Sequence, residues 1–554
     1  MKYPKIPLAQ SVILLCKAKN IKHIIISPGS RNAPLTIGFT NDSFFKCYSI
    51  VDERCAAFVA LGIAQQTQQP VALVCTSGSA LLNYYPAIAE AYFSNIPMVV
   101  LSADRPEHLI GIGDGQTINQ ENVFKNHIVY SANLKPDNPL RNSKEIQQAL
   151  QQAILKKGPV HINIPFNEPL YETTSELLIN PKILETKNKV KNLDQTLVEQ
   201  LGEQWQKANK KMVVVGVLQP NSIAQKWLEV LANDTSVVVF TETTSNIQHP
   251  NFFPCIDKII APLTEESFKH LQPEILLTLG GLVVSKKIKA FLREYQPKQH
   301  WHIDELKAND TYFCLSQHVK VIPNSFFSSF FKKVKNSLNS NYQKEWLLVK
   351  KEREQKQQTY LNALAYSDLK VFQQVLKTLP AESILQLANS STIRYTQLFE
   401  LKSSIKVFCN RGTSGIDGST STAIGCAIAN KKQTVFITGD LSFFYDSNAL
   451  WNNYIPNNFR IILINNEGGG IFRILPGNKN TENFDTFFET KHNLTAKHLA
   501  KMYNFEYIMA TSLDTINLAL HNFYEEGSNP KILEIFTPRT TNDKVLQNYF
   551  KALQ

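Results

Sequence analysis

Two polar clusters in the last third of the 554-residue sequence could grip a metal ion and a diphosphate: Gly439-Asp440-Leu441-Ser442 and Asn465-Asn466-Glu467-Gly468-Gly469-Gly470. Each follows a β-type apolar run, Val435 to Thr438 and Arg460 to Ile464. The 26 residues from Asp440 to Asn466 suffice for one helix and two connections. That spacing predicts neighbouring parallel strands with both clusters at their carboxyl ends, where open α/β sheets bind ligands. An Asp carboxylate, an Asn amide oxygen and a free backbone carbonyl beside glycine form a hard oxygen set. Mg²⁺ takes a few such oxygens from protein and the rest from phosphate and water. Glycines at 468 to 470 let the backbone approach a diphosphate closely. Either cluster alone reads as a capping Asp or an Asn-Gly-type turn. Together they read as a metal–diphosphate site, with Asp440, Asn466 and Gly468 as metal ligands.

The elements that must hold these groups form three blocks. The first alternates strands (Ile21 to Ile26, Val71 to Cys75, Met98 to Leu101, Pro159 to Ile164) with helices. Arg54 to Gln65 has apolar residues at helical spacing, and Ser79 to Phe93 reads as a second helix. Leu177 to Leu201, rich in Lys, Asn and Gln, reads as a linker. A second block carries Met212 to Val217, Val237 to Phe240, Ile275 to Leu279 and Trp301 to Ile303. After the polar stretch Asn336 to Gln358, helical towards its end, a third block carries Ile405 to Cys409, Val435 to Thr438, Arg460 to Asn465 and Ile532 to Phe536. The fold class is α/β, with mainly parallel sheets flanked by helices and domains at 1–180, 195–335 and 350–554.

Composition narrows the function classes. Hydrophobic residues at 43% exclude a disordered chain. No apolar run reaches the ~18 residues of a membrane span. Eight cysteines without a C-x-x-C pair read as buried thiols in a reducing compartment, which predicts a cytoplasmic protein. The net charge of +11 has no aromatic-interleaved basic groove behind it: Lys332-Lys333 and Lys350-Lys351 are short, so no nucleic acid is expected.

The pattern G-D followed 26 residues later by N-N and glycine resembles the diphosphate–Mg²⁺ signature of thiamine diphosphate enzymes, with Leu441 where that signature usually has Gly. Longer matches are similar to a narrower branch, the 2-succinyl-5-enolpyruvyl-6-hydroxy-3-cyclohexene-1-carboxylate synthases of menaquinone biosynthesis. They are ISPGSRNAPL, VDERCAAFVALGIA, TSGSALLNYYPAIAEA, LSADRP, NRGTSGIDGSTSTAIG, GDLSFFYDSNAL and NNEGGGIF. They cover the first and third blocks densely and the middle block thinly.

The resemblance implies a pyrimidine-binding, a central and a diphosphate-binding domain. It also implies thiamine diphosphate with Mg²⁺ (Mn²⁺ as the alternative metal), and a homodimer or homotetramer with sites between subunits. Glu53 matches the carboxylate that shifts the tautomer of the cofactor's aminopyrimidine. Read locally, Glu53 is also an acid favoured in any helix's first turn. Ile416 matches the bulky residue that keeps the cofactor bent. Ser414, Gly415, Leu441, Ser442 and Gly469 fall at cofactor positions, and Ile471 and Phe472 would pack on the cofactor or form core. The implied substrates, 2-oxoglutarate and isochorismate, bring two carboxylates each and call for guanidinium and ammonium groups. Ser30, Arg31, Arg105, Gln116, Lys286, Ser390, Arg394 and Arg411 match the substrate positions, whereas Asn32 and Ala33 stand where the family commonly has Ser and Thr. A simple 2-oxo acid decarboxylase or an acetolactate-type carboligase would share Glu53 and Asp440 without this basic set. A catalytically inactive binding or regulatory relative is the alternative of a different class.

Three other features read as bystanders. Gly111-Ile112-Gly113-Asp114-Gly115 lacks the preceding strand of a nucleotide loop and reads as a mobile loop presenting Gln116. His300 and His302 flank Trp301 on one strand face, but zinc would need more ligands. Ser414 in G-T-S-G is not a nucleophile elbow.

Overall fold

A computed structural model describes residues 2–184, 193–334, 339–475, 477, 479, 481 and 483–554. Three parallel sheets follow one another along the chain. The first runs Lys46–Ser49, His23–Ile26, Val71–Cys75, Met98–Asp104, Val160–Pro165, Tyr130–Asn133. The central sheet runs Val237–Thr241, Lys211–Val215, Ile275–Leu279, Gln299–Ile303, Gln317–Val319. The third runs Lys406–Cys409, Ile384–Leu387, Thr434–Gly439, Arg460–Asn465, Lys531–Phe536, Glu506–Ala510. A short antiparallel pair, Tyr3–Pro4 with Thr173–Thr174, closes the first unit. Strands such as Val71–Cys75 are buried at every position, as a sheet covered by helices on both faces requires.

Two expected elements are corrected. Ser79 to Phe93 is two helices, Ser79–Asn83 and Tyr85–Ser94, because Pro86 cannot donate to the preceding turn. The supposed linker ends early, since Gln195–Lys207 is a helix capped by Asp194, whose Oδ1 accepts from Thr196 N at 2.9 Å. Its Val198, Leu201 and Trp205 are buried on one face. Residues 185–192 of that stretch lie outside the described residues.

Helix Glu53–Thr67 of the first unit crosses helix Ser419–Ala429 of the third, and both feed one continuous core. The crossing depends on two reciprocal glycines. A Cβ on Gly62 would lie 2.1 Å from the Thr422 carbonyl oxygen, and one on Gly425 would lie 2.1 Å from that of Val59. Backbone cannot give way as a flexible side chain can. Gly62→Ala is therefore expected to lose about 1–3 kcal/mol or more through overpacking. Thermal melts should show a lower midpoint, and an unchanged one would mean that the helices can separate at no cost.

Candidate active site

The strands Thr434–Gly439 and Arg460–Asn465 pair directly, with Gly439 opposite Ile464. Both polar clusters therefore emerge at adjacent carboxyl ends. Asp440 is their hub. It is buried; its Oδ1 accepts from Leu441 N at 2.7 Å, and its Oδ2 accepts from Asn466 N at 3.1 Å and Gly468 N at 3.0 Å. His492 Nε2 lies 3.4 Å from the same Oδ2. Asn466 donates Nδ2 to Asp368 Oδ2 at 3.0 Å. That bond fixes the amide and leaves its oxygen as the group available to a cation.

Gly468 has φ +151°, and a Cβ there would lie 2.7 Å from the Glu489 carbonyl oxygen, so the backbone approach seen here requires glycine. Its own carbonyl accepts from Gly470 N at 3.0 Å, leaving one lone pair free. Gly469 N donates to Glu489 O at 2.6 Å. Among the described residues no group of three or more His, Cys, Asp or Glu side chains is placed to hold a metal. A carboxylate, an amide oxygen and a carbonyl do not need one, and this set fits Mg²⁺ beside a diphosphate.

The loop before helix Ser419–Ala429 meets this hub. Ser442 Oγ donates to Ile416 O at 2.7 Å, and Asn389 Nδ2 donates to Gly415 O at 2.7 Å. Ser414 has φ +62° and its Oγ donates to Arg411 O at 3.4 Å. The Ile416 side chain is 38% exposed, so it is not core and stands free to shape a ligand. Phe472 is equally exposed at 38%, and Ile471 lines a cavity described below.

Glu53 opens helix Glu53–Thr67, whose cap Asp52 accepts from Cys55 N at 3.1 Å and from Asn448 Nδ2 at 2.9 Å. Burial raises the Glu53 pKa above the ordinary carboxylate range, while its own backbone N–H opposes the shift and Asp52 adds to it. Arg54 donates to Tyr445 O at 2.9 Å and lies over the Tyr445 ring, 4.9 Å from its centroid. Burial likewise pushes Asp446, beside Arg54, up to about 6.

The basic residues fall into two groups. In the first unit Arg31 is buried, donating to Phe166 O at 3.1 Å and Glu168 Oε1 at 3.0 Å, with Nε unpartnered. Exposed Ser30 precedes it, and Asn32 turns its amide inward to Ser27 O. Arg105 donates to Gly115 O at 3.2 Å, tying down the loop that ends at exposed Gln116, φ +55°. In the second group, Lys286 and Arg394 line one cavity of about 320 Å³ with Asp257 and Ile471. Arg394 donates to Ser390 O at 2.7 Å. Arg411 donates to Asn389 Oδ1 at 2.7 Å and lies close enough to depress the Arg394 pKa, after burial. Among the described residues no hydrogen bond or ion pair joins the two groups within one chain.

Several supporting residues escaped sequence reasoning. Asp368 holds Asn466, and burial pushes it up to about 6. Asn389 fixes both Arg411 and the Gly415 carbonyl. Glu90 of the first unit accepts from Gly412 N and Thr413 N of the third. Gln120 Oε1 accepts from Gly78 N at 2.9 Å. Asp368, Asn389 and Gln120 lie in stretches without a motif, and Glu90 lies in a matched stretch whose pattern marks no role for it, so only the tertiary contact gives each its meaning. Of the bystanders, His300 and His302 both meet Thr278 Oγ1, at 2.9 and 2.8 Å, as their shared strand face requires.

Comparison with known proteins bears on the whole chain. Residues 6–128 match the family described as thiamine pyrophosphate enzyme, N-terminal TPP binding domain; 184–387 match the middle domain of thiamine pyrophosphate; 390–535 match the C-terminal TPP binding domain. A protein of Flavobacterium psychrophilum named 2-succinyl-5-enolpyruvyl-6-hydroxy-3-cyclohexene-1-carboxylate synthase is 60% identical over 556 residues, covering 100% of both chains. Proteins of the same name from Flavobacterium johnsoniae and Christiangramia forsetii are 56% and 55% identical, again over 100% of both chains.

Proposed function

Because this chain belongs to the 2-succinyl-5-enolpyruvyl-6-hydroxy-3-cyclohexene-1-carboxylate synthases, within the thiamine pyrophosphate (diphosphate) enzymes, we propose that it catalyses that synthesis. It would be a transferase of menaquinone biosynthesis that decarboxylates 2-oxoglutarate and adds the succinyl unit to isochorismate, releasing CO₂. The observation that carries this reading is the Asp440 hub, one carboxylate oxygen bonded by the amides of Asn466 and Gly468.

Asp440, the Asn466 amide oxygen and the Gly468 carbonyl would hold Mg²⁺, or Mn²⁺ in its place, against the diphosphate. Ser414, Gly415, Leu441, Ser442 and Gly469 would line the diphosphate with backbone and hydroxyl groups, while Ile416, Ile471 and Phe472 supply apolar walls. Thiamine diphosphate, when bound, supplies an electron sink for decarboxylating a 2-oxo acid and a nucleophilic carbon for the new bond. Glu53 would hold a proton at its carboxylate facing the aminopyrimidine, a task suited to a carboxyl whose pKa burial has raised. Arg31, Arg105, Lys286, Arg394 and Arg411, with Ser30, Gln116 and Ser390, would bind and orient the substrate carboxylates.

We further infer that two copies complete each site, in a homodimer or a homotetramer of such pairs. Val51, two residues before Glu53, and Tyr445, packed against Arg54, are exposed apolar groups at this helix start, at 44% and 54%. Such a patch on a rim of function suits a second copy. Eight free cysteines suit the cytoplasm, and no helix among the described residues is long and apolar enough to cross a membrane.

The test is a turnover assay with both substrates, omitting thiamine diphosphate or divalent metal in turn. Isochorismate consumption and CO₂ release should both stop on either omission. Turnover that persists would overturn the cofactor assignment. CO₂ release without isochorismate consumption would instead indicate a simple decarboxylase or another carboligase. No turnover with cofactor bound would indicate a binding or regulatory relative.

A further inference from the structure

The central domain reaches the basic cavity through one turn. Val284 and Ser285 precede helix Lys286–Glu294, which starts with Lys286, a cavity residue. Two carboxylates grip this turn from below. Glu242, at the carboxyl end of strand Val237–Thr241, accepts from Val284 N at 2.7 Å and from Ser285 N at 2.8 Å. Asp257 accepts from Ser285 Oγ and itself lines the cavity. Glu242 is buried and Asp257 half-buried.

Glu242 also stands among cations. Burial pushes its pKa up to about 7; the Val284 and Ser285 N–H groups draw it down, Asp257 pushes it up, and Arg411, more weakly, draws it down. Lys289, on the same helix as Lys286, feels Glu242 in return and is itself depressed by burial. Without the two N–H donors the buried Glu242 oxygens would be left unsatisfied, so the acid and the Val284–Ser285 turn hold each other in place.

We propose that Glu242, which does not line the basic cavity, is a positioning residue for the substrate-carboxylate grip. It holds the Val284–Ser285 turn so that Lys286 faces the cavity. The third domain contributes Arg394 and Arg411 and the central domain contributes Lys286, so Glu242 fixes one half of the grip against the other. This rests on the reading that Lys286, Arg394 and Arg411 bind substrate carboxylates.

The test uses the full-length protein with thiamine diphosphate and Mg²⁺, comparing Glu242→Gln and Glu242→Ala. Glu242→Ala should raise KM for at least one dicarboxylate substrate roughly tenfold, and Glu242→Gln should restore it to within about twofold of wild type. The kcat should stay within about threefold, and thiamine diphosphate affinity, read by fluorescence titration, should not change. Glu242→Gln keeps an acceptor for the two amides and should melt close to wild type, so it carries the test if Glu242→Ala fails to fold. A well-folded Glu242→Ala with wild-type KM would overturn the proposal, and so would a tenfold rise in KM in Glu242→Gln, because that variant keeps the acceptor that holds the turn. Lys286→Ala and Arg394→Ala run in parallel: if these also leave both KM values unchanged, the location of the grip is what fails, and the proposal falls with it.

Discussion

Glu53→Gln should lower kcat on the order of 10²- to 10⁴-fold, the range that a positioned proton-transfer group supplies, while the protein still binds thiamine diphosphate. Glutamine keeps the shape and one acceptor oxygen of the side chain but cannot take a proton at physiological pH. The position is built for the acid: Glu53 is the first residue of its helix, half-buried, and its pKa lies above the ordinary carboxylate range chiefly through desolvation. The helix itself is anchored by Asp52, Arg54 and Asp446, so the substitution should leave the thermal midpoint unmoved. Cofactor affinity and single-turnover decarboxylation measured on the same preparation separate the outcomes. Loss of binding would make Glu53 a structural contact, and undiminished turnover would remove it from the chemistry.

Asp440→Ala should abolish metal-dependent retention of thiamine diphosphate, with a loss in affinity beyond the roughly 10- to 100-fold that outer supporting groups cost. The effect has two sources. The variant removes the sole carboxylate of the oxygen set, and it frees the amides of Asn466 and Gly468 that its Oδ2 binds. Asp440→Asn isolates the first source, because the amide oxygen can still accept from those two N–H groups. Titration of cofactor at several Mg²⁺ concentrations should show weak, metal-insensitive binding in both variants. Tight, metal-dependent binding in Asp440→Ala would show that the hub organises backbone without contacting the ion.

Much of this was legible because the two polar clusters sit at adjacent strand ends. Buried strands such as Val71–Cys75, Ile275–Leu279 and Arg460–Asn465 were read to the residue, since both faces of a central parallel strand are apolar. The strands that were missed are mostly edges. Lys46–Ser49, Tyr130–Asn133, Gln317–Val319 and Glu506–Ala510 bury only part of their surface, so their sequences look like loop. Ile384–Leu387 is central and fully buried, but it is short and Gln386 interrupts its apolar run. In the site, Asp440, Asn466 and the glycines were readable because their spacing encodes a strand–helix–strand unit. Asp368, Asn389, Glu90 and Glu242 were not, since each acts across a distance in sequence that no local pattern records. Glu242 bonds a turn 42 residues away, and Glu90 one 322 residues away.

The glycine-mediated crossing of the first and third units also bears on synthesis. About 360 residues separate Gly62 from its counterpart Gly425 along the chain, which at ~5–20 residues per second is roughly 20–70 s of translation. For that time the helix carrying Glu53 has no partner for the apolar surface it shares with the later helix. The nascent first unit must wait at the ribosome with that surface uncovered, so this chain's yield in the cell should depend on holdase chaperones more than its final packing suggests.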